Sequence, residues 1–361
     1  MAADSPVLTL PPELLSHVFS YLNAFDLECV AKTFNRQFYK SVIPTLGPLI
    51  PWVNNARRMC KVFPPFDTND LFPSFPDQIP RFHPDWSNRH WNGIEGSTCE
   101  RLGLDPSRGK YYRSSPPDLR SWMKLDGSFE WLAPLDGSVA GSMRPHTGSE
   151  GGRPVAEAWR VDAVVKQAKS LGLTLPVGYE TFLRSNILHH RIPSSYAWYF
   201  DLSKLIECPP TFDNGAGGYL QRFHCDQQYC AFAYLYMNKS GNHCVLYSDD
   251  DVYQELGIQE TEVEVDDNAP ESGGGKRNVE AKGVFSKDNF EIVGLSFEEY
   301  LAGVYYEELL SFGAEPFPGL KDYVAHVYRH PAEIEPLRGQ SKSESTHRTW
   351  FPTDANSRQS R

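Results

Sequence analysis

Near the start of the chain, apolar residues recur every three to four positions in two short stretches. Pro11 and Pro12 favour the first turn of one helix, and Asp26 is a suitable N-cap for a second. The pattern predicts a helical unit over 7–47, and at about 40 residues such a unit is near the smallest size that buries a stable core alone. We therefore expect a partner protein to cover its apolar side chains; the alternative is a self-contained helical hairpin buried against the rest of the chain. The apolar positions are Leu14, Leu15, Val18, Phe19 and Leu22, then Leu27, Val30, Ala31, Phe34 and Phe38.

A second regular region covers 153–330. An apolar stripe over 161–171 predicts a helix, Pro176 begins another, and alternating apolar runs then predict strands. Ser296 and Glu299 form the capping box of a closing helix. This order predicts an α+β domain in which helices pack against one face of an antiparallel-type sheet. The predicted strands are 196–202, 219–225, 229–237 and 243–248.

Three stretches of the sequence lack a sustained helical or strand-like repeat of apolar residues. Residues 48–152 are rich in Pro, Trp, Asp and Gly, and we interpret them as an irregular connector with a helix near 53–62 and a strand at 129–132. We interpret 249–280 as an acidic, mobile insertion in the α+β domain and 331–361 as a disordered polar tail.

Negative charge is concentrated in one stretch. The chain has 35 basic and 46 acidic side chains, a net charge of −11, and residues 249–271 contain ten of the acids and no Lys or Arg. The remainder is close to neutral, so we expect no nucleic-acid partner, which would require a broad basic surface. The acidic stretch is interpreted as a solvated loop, with a docking site for a basic partner as the alternative.

The cysteines and the apolar runs indicate the cellular compartment of the protein. Seven cysteines, an odd number in a chain of 361 residues, favour reduced thiols. The start of the chain lacks a basic cluster before an apolar run, and the longest apolar run, 230–237, is too short to cross a bilayer. We therefore expect a cytoplasmic and/or nuclear protein without a membrane partner.

One group of side chains has the composition of a zinc site, and a predicted hairpin brings its members near one another. Cys225 and Cys230 do not have Cys-x-x-Cys spacing, and neighbouring His and Cys residues on a strand point to opposite faces. We favour ordinary strand packing, and a metal-dependent enzyme is the alternative. The group consists of His224, Cys225, Cys230, His243 and Cys244.

Other candidate sites also have structural interpretations. His189 and His190 are expected at the polar end of a helix, and the glycine-rich segment 215–218 lacks the strand and the Lys-Ser/Thr of a phosphate loop. We expect the acids of the closing helix on its solvent side and the strand aromatics in the core rather than in a groove. These residues are Glu298, Glu299, Glu307 and Glu308, and Trp198, Tyr199, Tyr234 and Tyr236. No catalytic residue, cofactor or metal ligand is predicted.

Residues 8–46 resemble an F-box. The resemblance lies in Leu10-Pro11-Pro12-Glu13-Leu14-Leu15, Val18-Phe19-Ser20-Tyr21-Leu22 and Asp26-Leu27; Phe34-Asn35-Arg36-Gln37-Phe38 replaces the Cys-Arg-x-Trp-like end of many F-boxes. The resemblance implies binding to the Skp-type adaptor of cullin-based ubiquitin ligases. The residues it implies at the contact are Leu10, Pro11, Leu14, Leu15, Val18, Leu22 and Leu27.

Residues 154–312 are similar to the cell-wall-assembly-regulator superfamily, also called SUKH. The similar segments are 171–183, Arg222-Phe223 with Asp226-Gln227-Gln228 and Cys230, and 295–301. The chain departs from the family in Ser185-Asn186, where many members have Asn-Gly, and in its acidic insertion. The similarity implies an α+β domain that binds protein partners and is not known as a catalyst.

Together, the two resemblances lead to one hypothesis. The chain is a non-enzymatic substrate receptor, joined through the Skp-type adaptor to a cullin, whose C-terminal domain binds a target protein. The alternative is a regulatory scaffold of cell-wall synthesis or stress signalling that acts without ubiquitin. Removal of the protein would raise the abundance of a target in the first case and leave it unchanged in the second.

Overall fold

The computed structural model describes a large part of the chain beyond residue 49. The F-box-like unit over 7–47, the later part of the predicted insertion and the tail over 331–361 lie outside the described residues. The described ranges are 50–63, 94, 96–109, 112–113, 119, 123–135, 155–194, 198–258, 290–311 and 317–329.

Within these ranges the fold is an α+β arrangement around an antiparallel sheet of six strands. The strand order is β2-β4-β5-β6-β7. Strand β2 pairs with the C-terminal end of β4, and the short β3 pairs with its N-terminal end. Strands β1 and β8 pair in a separate two-stranded sheet. The strands are β1 Tyr112–Arg113, β2 Trp198–Phe200, β3 Ile206–Glu207, β4 Tyr219–Asp226, β5 Phe232–Met237, β6 His243–Ser248, β7 Glu291–Gly294 and β8 Tyr328–Arg329. The α-helices are α1 Ile50–Val62, α2 Ser97–Leu102, α3 Ala158–Ser170, α4 Tyr179–Arg184, α5 Val252–Glu255, α6 Phe297–Ser311 and α7 Leu320–Val327.

Both faces of the sheet are buried. In β5, Ala233, Leu235 and Met237 face the larger core, while Tyr234 and Tyr236 face a second core on the opposite side. The α+β class is confirmed, but the prediction that helices cover one face only is wrong, because α1 and α5 cover the second face. A strand buried on both faces reads as a continuous apolar run, as β5 does.

Helix α6 lies at the centre of the larger core. Its N-terminus is capped as predicted, since the Ser296 hydroxyl accepts a hydrogen bond from the Glu299 amide at 3.2 Å. The helix packs against the sheet through Phe297, whose ring centroid lies 5.4 Å from that of Phe223 in β4 and 4.7 Å from that of Tyr179 in α4.

The prediction that the acids of α6 face solvent is wrong. Glu298, Glu299, Glu307 and Glu308 are each at most 2% exposed. The reason lies in the donors that other segments supply: Glu307, for example, accepts hydrogen bonds from the hydroxyls of Tyr323 at 2.5 Å and Tyr328 at 3.0 Å. A buried carboxylate is tolerated where such donors replace water.

The connector predicted over 48–152 is, in its described parts, an integral portion of the α+β fold. The predicted helix near 53–62 is present as α1. It packs on the second sheet face, where Phe63 contacts Tyr236 edge to face at 4.8 Å between ring centroids. Leu125 and Leu132 lie in the larger core, and Cys99 of α2 also lies there.

Segment 123–135 packs closely against the start of α4. A Cβ atom on Gly127 would lie 2.8 Å from the Gly178 amide nitrogen, so the two backbones meet where only glycine fits. The predicted strand at 129–132 is instead a turn, in which the Leu132 amide donates to the Phe129 carbonyl at 3.0 Å. Contact with α4 and α6, rather than strand pairing, fixes this segment.

The predicted acidic insertion begins later than residue 249. Asp249 and Asp250 follow β6 directly, and Asp251 caps helix α5 by accepting a hydrogen bond from the Tyr253 amide at 3.0 Å. Residues 249–258 are therefore part of the fold, because Val252 and Tyr253 are buried in the second core. Among the described residues, no helix has the length and apolar character needed to cross a bilayer.

Candidate functional site

A cleft of about 400 Å³ opens where β4, the β4–β5 turn and α5 meet. Arg222 and Tyr253 form its floor and are almost completely buried, while Tyr229 from the turn forms an exposed wall. Gln254 and Ile258 complete the wall on the α5 side. Its volume falls in the range of about 300–1,000 Å³ typical of ligand sites.

Arg222 reaches the cleft by the ordinary alternation of β4, because it lies on the same face as Leu220 and opposite Tyr234. The register of β4 against β5 shifts between Arg222 and His224. A bulge of this kind re-aims the side chains that follow it. Phe223 and His224 therefore both contact the larger core, whereas Arg222 lies on the side of α5.

The Arg222 guanidinium is held by two carboxylates. Its Nη1 donates to Asp251 Oδ2 at 2.9 Å, and its Nη2 donates to Asp201 Oδ2 at 3.2 Å. The guanidinium carbon also lies 5.5 Å from the ring centroid of Tyr253 and 5.8 Å from that of Tyr229. A side chain only 3% exposed keeps its charge through such partners.

Tyr253 fixes α5 to the edge of the sheet. Its hydroxyl donates to the Lys204 carbonyl at 2.6 Å and accepts from the Ser203 hydroxyl at 2.6 Å. Asp251 adds two further contacts: its Oδ1 accepts the capping hydrogen bond of α5, and its Oδ2 accepts from Arg222. The floor of the cleft is consequently rigid.

The turn between β4 and β5 presents Tyr229 to solvent. Asp226 organises this turn by accepting hydrogen bonds from the amides of Cys230 at 2.8 Å and Ala231 at 3.1 Å. Tyr229 has a φ of 54°, in the left-handed region that a non-glycine residue seldom adopts. Its side chain is nonetheless 56% exposed, which is unusual for so large a ring.

The thiol beside this turn is not activated. A hydrogen bond from Cys230 to Asp226 raises the pKa of Cys230, and burial together with the charges of Asp226 and Asp249 acts in the same direction. Because the thiolate is the reactive form, this neighbourhood disfavours nucleophilic chemistry. What the cleft offers is the ring faces of Tyr229 and Tyr253 and a fixed ion-pair network, both of which are means of binding.

Comparison of the chain with models of protein families, with curated proteins and with solved structures finds no match.

The residues predicted for adaptor binding lie outside the described residues, so their contacts stay a prediction. These residues are Leu10, Pro11, Leu14, Leu15, Val18, Leu22 and Leu27.

The structure divides the members of the His/Cys group, for which strand packing is the favoured interpretation, between the two faces of the sheet. His224 stacks on Phe200 at 4.2 Å between ring centroids on one face, whereas Cys225 and Cys244 lie in the core of the other. Within the described residues, no group of three or more His, Cys, Asp or Glu side chains is arranged to hold a metal ion.

His189 differs from its predicted place at a polar helix end. It is 2% exposed, its ring centroid lies 3.9 Å from that of His190, and burial lowers the pKa of His189 to about 4.

The glycine-rich segment 215–218 binds a carboxylate of its own chain. The Gly218 amide donates a hydrogen bond to Asp213 Oδ2 at 2.7 Å.

The sequence does not identify the cleft, because Arg222 stands out only through a family resemblance and Asp251 falls in the predicted acidic insertion. Arg222 alternates with the apolar Leu220 in a predicted strand, and a charged side chain on a buried strand face is a signal for an ion pair. Asp251 followed by Val252 and Tyr253 also has the pattern of an N-cap before a short helix.

Proposed function

We propose that this chain is a substrate receptor of a Skp–cullin–F-box type ubiquitin ligase. The F-box-like unit would bind the Skp-type adaptor, and the α+β domain would bind the target. Neither part has to perform chemistry, because the receptor acts by holding its target at high effective concentration near the catalytic subunits.

The observation that supports the proposal is the anchoring of α1, the helix that follows the F-box-like unit in sequence, to the α+β domain. Only residues 48–49 separate that unit from α1, which begins at Ile50. In α1, Asn55 donates to the carbonyls of His243 at 2.8 Å and Leu295 at 2.9 Å, and it accepts from the His243 amide at 3.0 Å. A receptor needs an anchored element of this kind directly after its adaptor-binding part in the sequence.

Further contacts support the same anchoring. Arg58 donates to Asn242 Oδ1 at 3.0 Å, so α1 also contacts the turn between β5 and β6. Ala56 and Met59 are both 1% exposed and lie in the second core. The helix is therefore attached by polar and apolar contacts along its length.

Co-purification with the Skp-type adaptor tests the proposal. We expect the wild-type chain to recover the adaptor, and we expect the triple substitution Leu10→Ala, Pro11→Ala and Leu14→Ala to abolish recovery by removing the implied apolar contact. Val177→Ala with Ile187→Ala is the matched control, because both side chains are apolar and more than half exposed in the α+β domain. Equal recovery by the triple variant and the wild type would contradict the proposal.

A further inference from the structure

Helix α1 carries basic side chains and no acid. Its sequence, Ile50–Val62, contains neither Asp nor Glu. Arg58 and Lys61 are both exposed, and because they are three residues apart they are neighbours on the helix surface. The side of α1 that does not pack on the sheet is therefore positively charged.

The turn between β5 and β6 adds a third cation beside α1. The Arg58 guanidinium donates to Asn242 Oδ1 in this turn at 3.0 Å. Lys239 is exposed in the same turn, which is tightly closed because the Asn238 amide donates to the Asn242 carbonyl at 3.0 Å. Lys239 is thus close to Arg58, and we call Arg58, Lys61 and Lys239 the basic face.

The structure places no carboxylate against the basic face. Within the described part of the chain none of its three cations forms an ion pair, and the turn between β5 and β6 contains no acid. In the loop that contacts the end of α1, Asp213 is buried and its Oδ2 accepts a hydrogen bond from the Gly218 amide at 2.7 Å. Glu207 is exposed, but strand alternation places it on the opposite sheet face from Ile206, which lies in the second core with α1. The basic face therefore attracts an anionic group from outside these elements.

The chain itself supplies an acidic segment whose two ends lie on the same side of the sheet as α1. Residues 259–271 contain six acids and no Lys or Arg. Ile258, which precedes them, packs against the second core, and Phe290, where the described chain resumes, lies in that core together with Met59 of α1. The acids are Glu260, Glu262, Glu264, Asp266, Asp267 and Glu271.

The acidic segment is long enough to reach the basic face. Phe290 lies near one end of β6, because Glu291 pairs with Tyr247, and α1 contacts the other end of β6 at His243. The distance between these two positions along β6 is about 14 Å at 3.4 Å per residue. Residues 259–271 extend to about 40 Å, and tethering gives their carboxylates an effective concentration of about 1 mM.

We infer that the acidic segment 259–271 binds the basic face of Arg58, Lys61 and Lys239 within the same chain. Exposed ion pairs are individually weak, so this binding requires several of them at once, and the segment supplies six carboxylates for three cations. The acidic stretch then has its basic partner in α1. This inference goes beyond the proposed function and does not depend on the F-box-like unit.

Carbodiimide cross-linking of the full chain, which joins lysine amines to carboxylates in direct contact, tests the inference. Peptide mass spectrometry should find Lys61 and Lys239 joined to acids of 259–271. The yield should fall about threefold when salt is raised from about 0.02 M to about 0.5 M, because exposed charges are then screened.

Lys204 is the internal control for a segment without preference. It is exposed and lies beside α5, close to where the acidic segment begins, since the Tyr253 hydroxyl donates to the Lys204 carbonyl at 2.6 Å. A segment that only samples its surroundings would react with Lys204 at least as often as with Lys61 and Lys239. The inference predicts about fivefold more product at Lys61 and Lys239, because binding concentrates the carboxylates there.

Arg58→Gln tests the electrostatic attraction without removing a reactive amine. It should lower the yields at Lys61 and Lys239 about twofold to threefold. Arg108→Gln, which removes the same charge from another exposed position, is the matched control and should leave both yields unchanged. Equal yields for wild type and Arg58→Gln would overturn the inference.

A mixture of isotopically labelled and unlabelled chains distinguishes the chain's own segment from that of a second copy. Products at Lys61 and Lys239 should join peptides of the same isotopic form. Products that mainly join labelled to unlabelled chains, yields at Lys204 equal to those at the basic face, or the absence of product at the basic face would each contradict binding within one chain.

Discussion

At the scale of single residues, buried carboxylates of α6 connect segments that are distant in sequence. Glu298 accepts hydrogen bonds from the Gly127 amide at 2.7 Å and from the Trp131 indole at 2.8 Å. Glu307 joins α6 in the same way to Tyr323 and Tyr328. These acids are therefore structural groups that hold outer segments onto the central helix.

Glu298→Ala should lower the free energy of unfolding by about 2–3 kcal/mol, because it leaves two donors without their charged acceptor. Urea denaturation followed by tryptophan fluorescence measures this change. Glu130→Ala in the same segment is the control and should change stability by less than about 0.5 kcal/mol, since the Glu130 side chain is 68% exposed. Equal stability of Glu298→Ala and the control would show that these hydrogen bonds contribute nothing.

The buried histidine His224 makes stability depend on pH. It is 2% exposed between Trp198 and Phe200, its Nδ1 lies 2.9 Å from the Tyr300 hydroxyl, and burial lowers the pKa of His224 from 6.5 to about 3. Between these values the unfolded chain binds a proton that the folded chain does not, so stability is greatest above pH 6.5 and decreases as the pH falls towards 3.

The slope that His224 adds should be about 1.4 kcal/mol per pH unit below pH 6. Denaturant unfolding of wild type and His224→Phe at pH 7, 5 and 4 measures it, and the variant should lose that part of the slope. His326→Gln is the matched substitution at an exposed histidine. Parallel pH profiles for the wild type and His224→Phe would refute this account of His224.

At the scale of elements, the sequence predicts most of the sheet and misses what packs around it. Helix α6 and strand β6 are recognisable because capping residues and apolar alternation are local signals. The sequence does not reveal the second covered face, because α1 contacts β6 across 188 residues of chain. Its packing depends on contacts that no local pattern contains.

The burial of the α6 acids was missed for the same reason. An isolated helix with Glu298 and Glu299 in its first turn is expected to turn these residues to solvent. Donors such as the Trp131 indole come from another segment and become apparent only in the folded chain. The cleft likewise depends on Asp201 and Asp251, which lie 21 and 29 residues from Arg222 in sequence and meet its guanidinium only in the folded chain.

Asn55→Ala should loosen α1 from the sheet. The substitution removes three hydrogen bonds to His243 and Leu295 and should cost about 2 kcal/mol locally, because neutral hydrogen bonds contribute about 0.5–1.5 kcal/mol each. Hydrogen exchange should become faster in 50–62 while β5 stays protected. Asn54→Ala, at the adjacent exposed position, is the control. Unchanged exchange of α1 in Asn55→Ala would contradict the role of these contacts.

At the scale of the whole molecule, the proposal gives the chain two binding parts. Residues 7–47 are assigned to the adaptor on their resemblance to an F-box, and the α+β domain is assigned to the target. Helix α1 follows the first part in sequence and packs on the second sheet face of the α+β domain. The binding of one partner should therefore leave the other part free to act.

Size-exclusion chromatography with light scattering, on the purified full chain mixed with a purified Skp-type adaptor, tests the central claim most directly. The account predicts a complex of one chain with one adaptor, which the triple substitution at Leu10, Pro11 and Leu14 prevents without changing the unfolding profile of the α+β domain. Separate elution of the wild-type chain and the adaptor would contradict it.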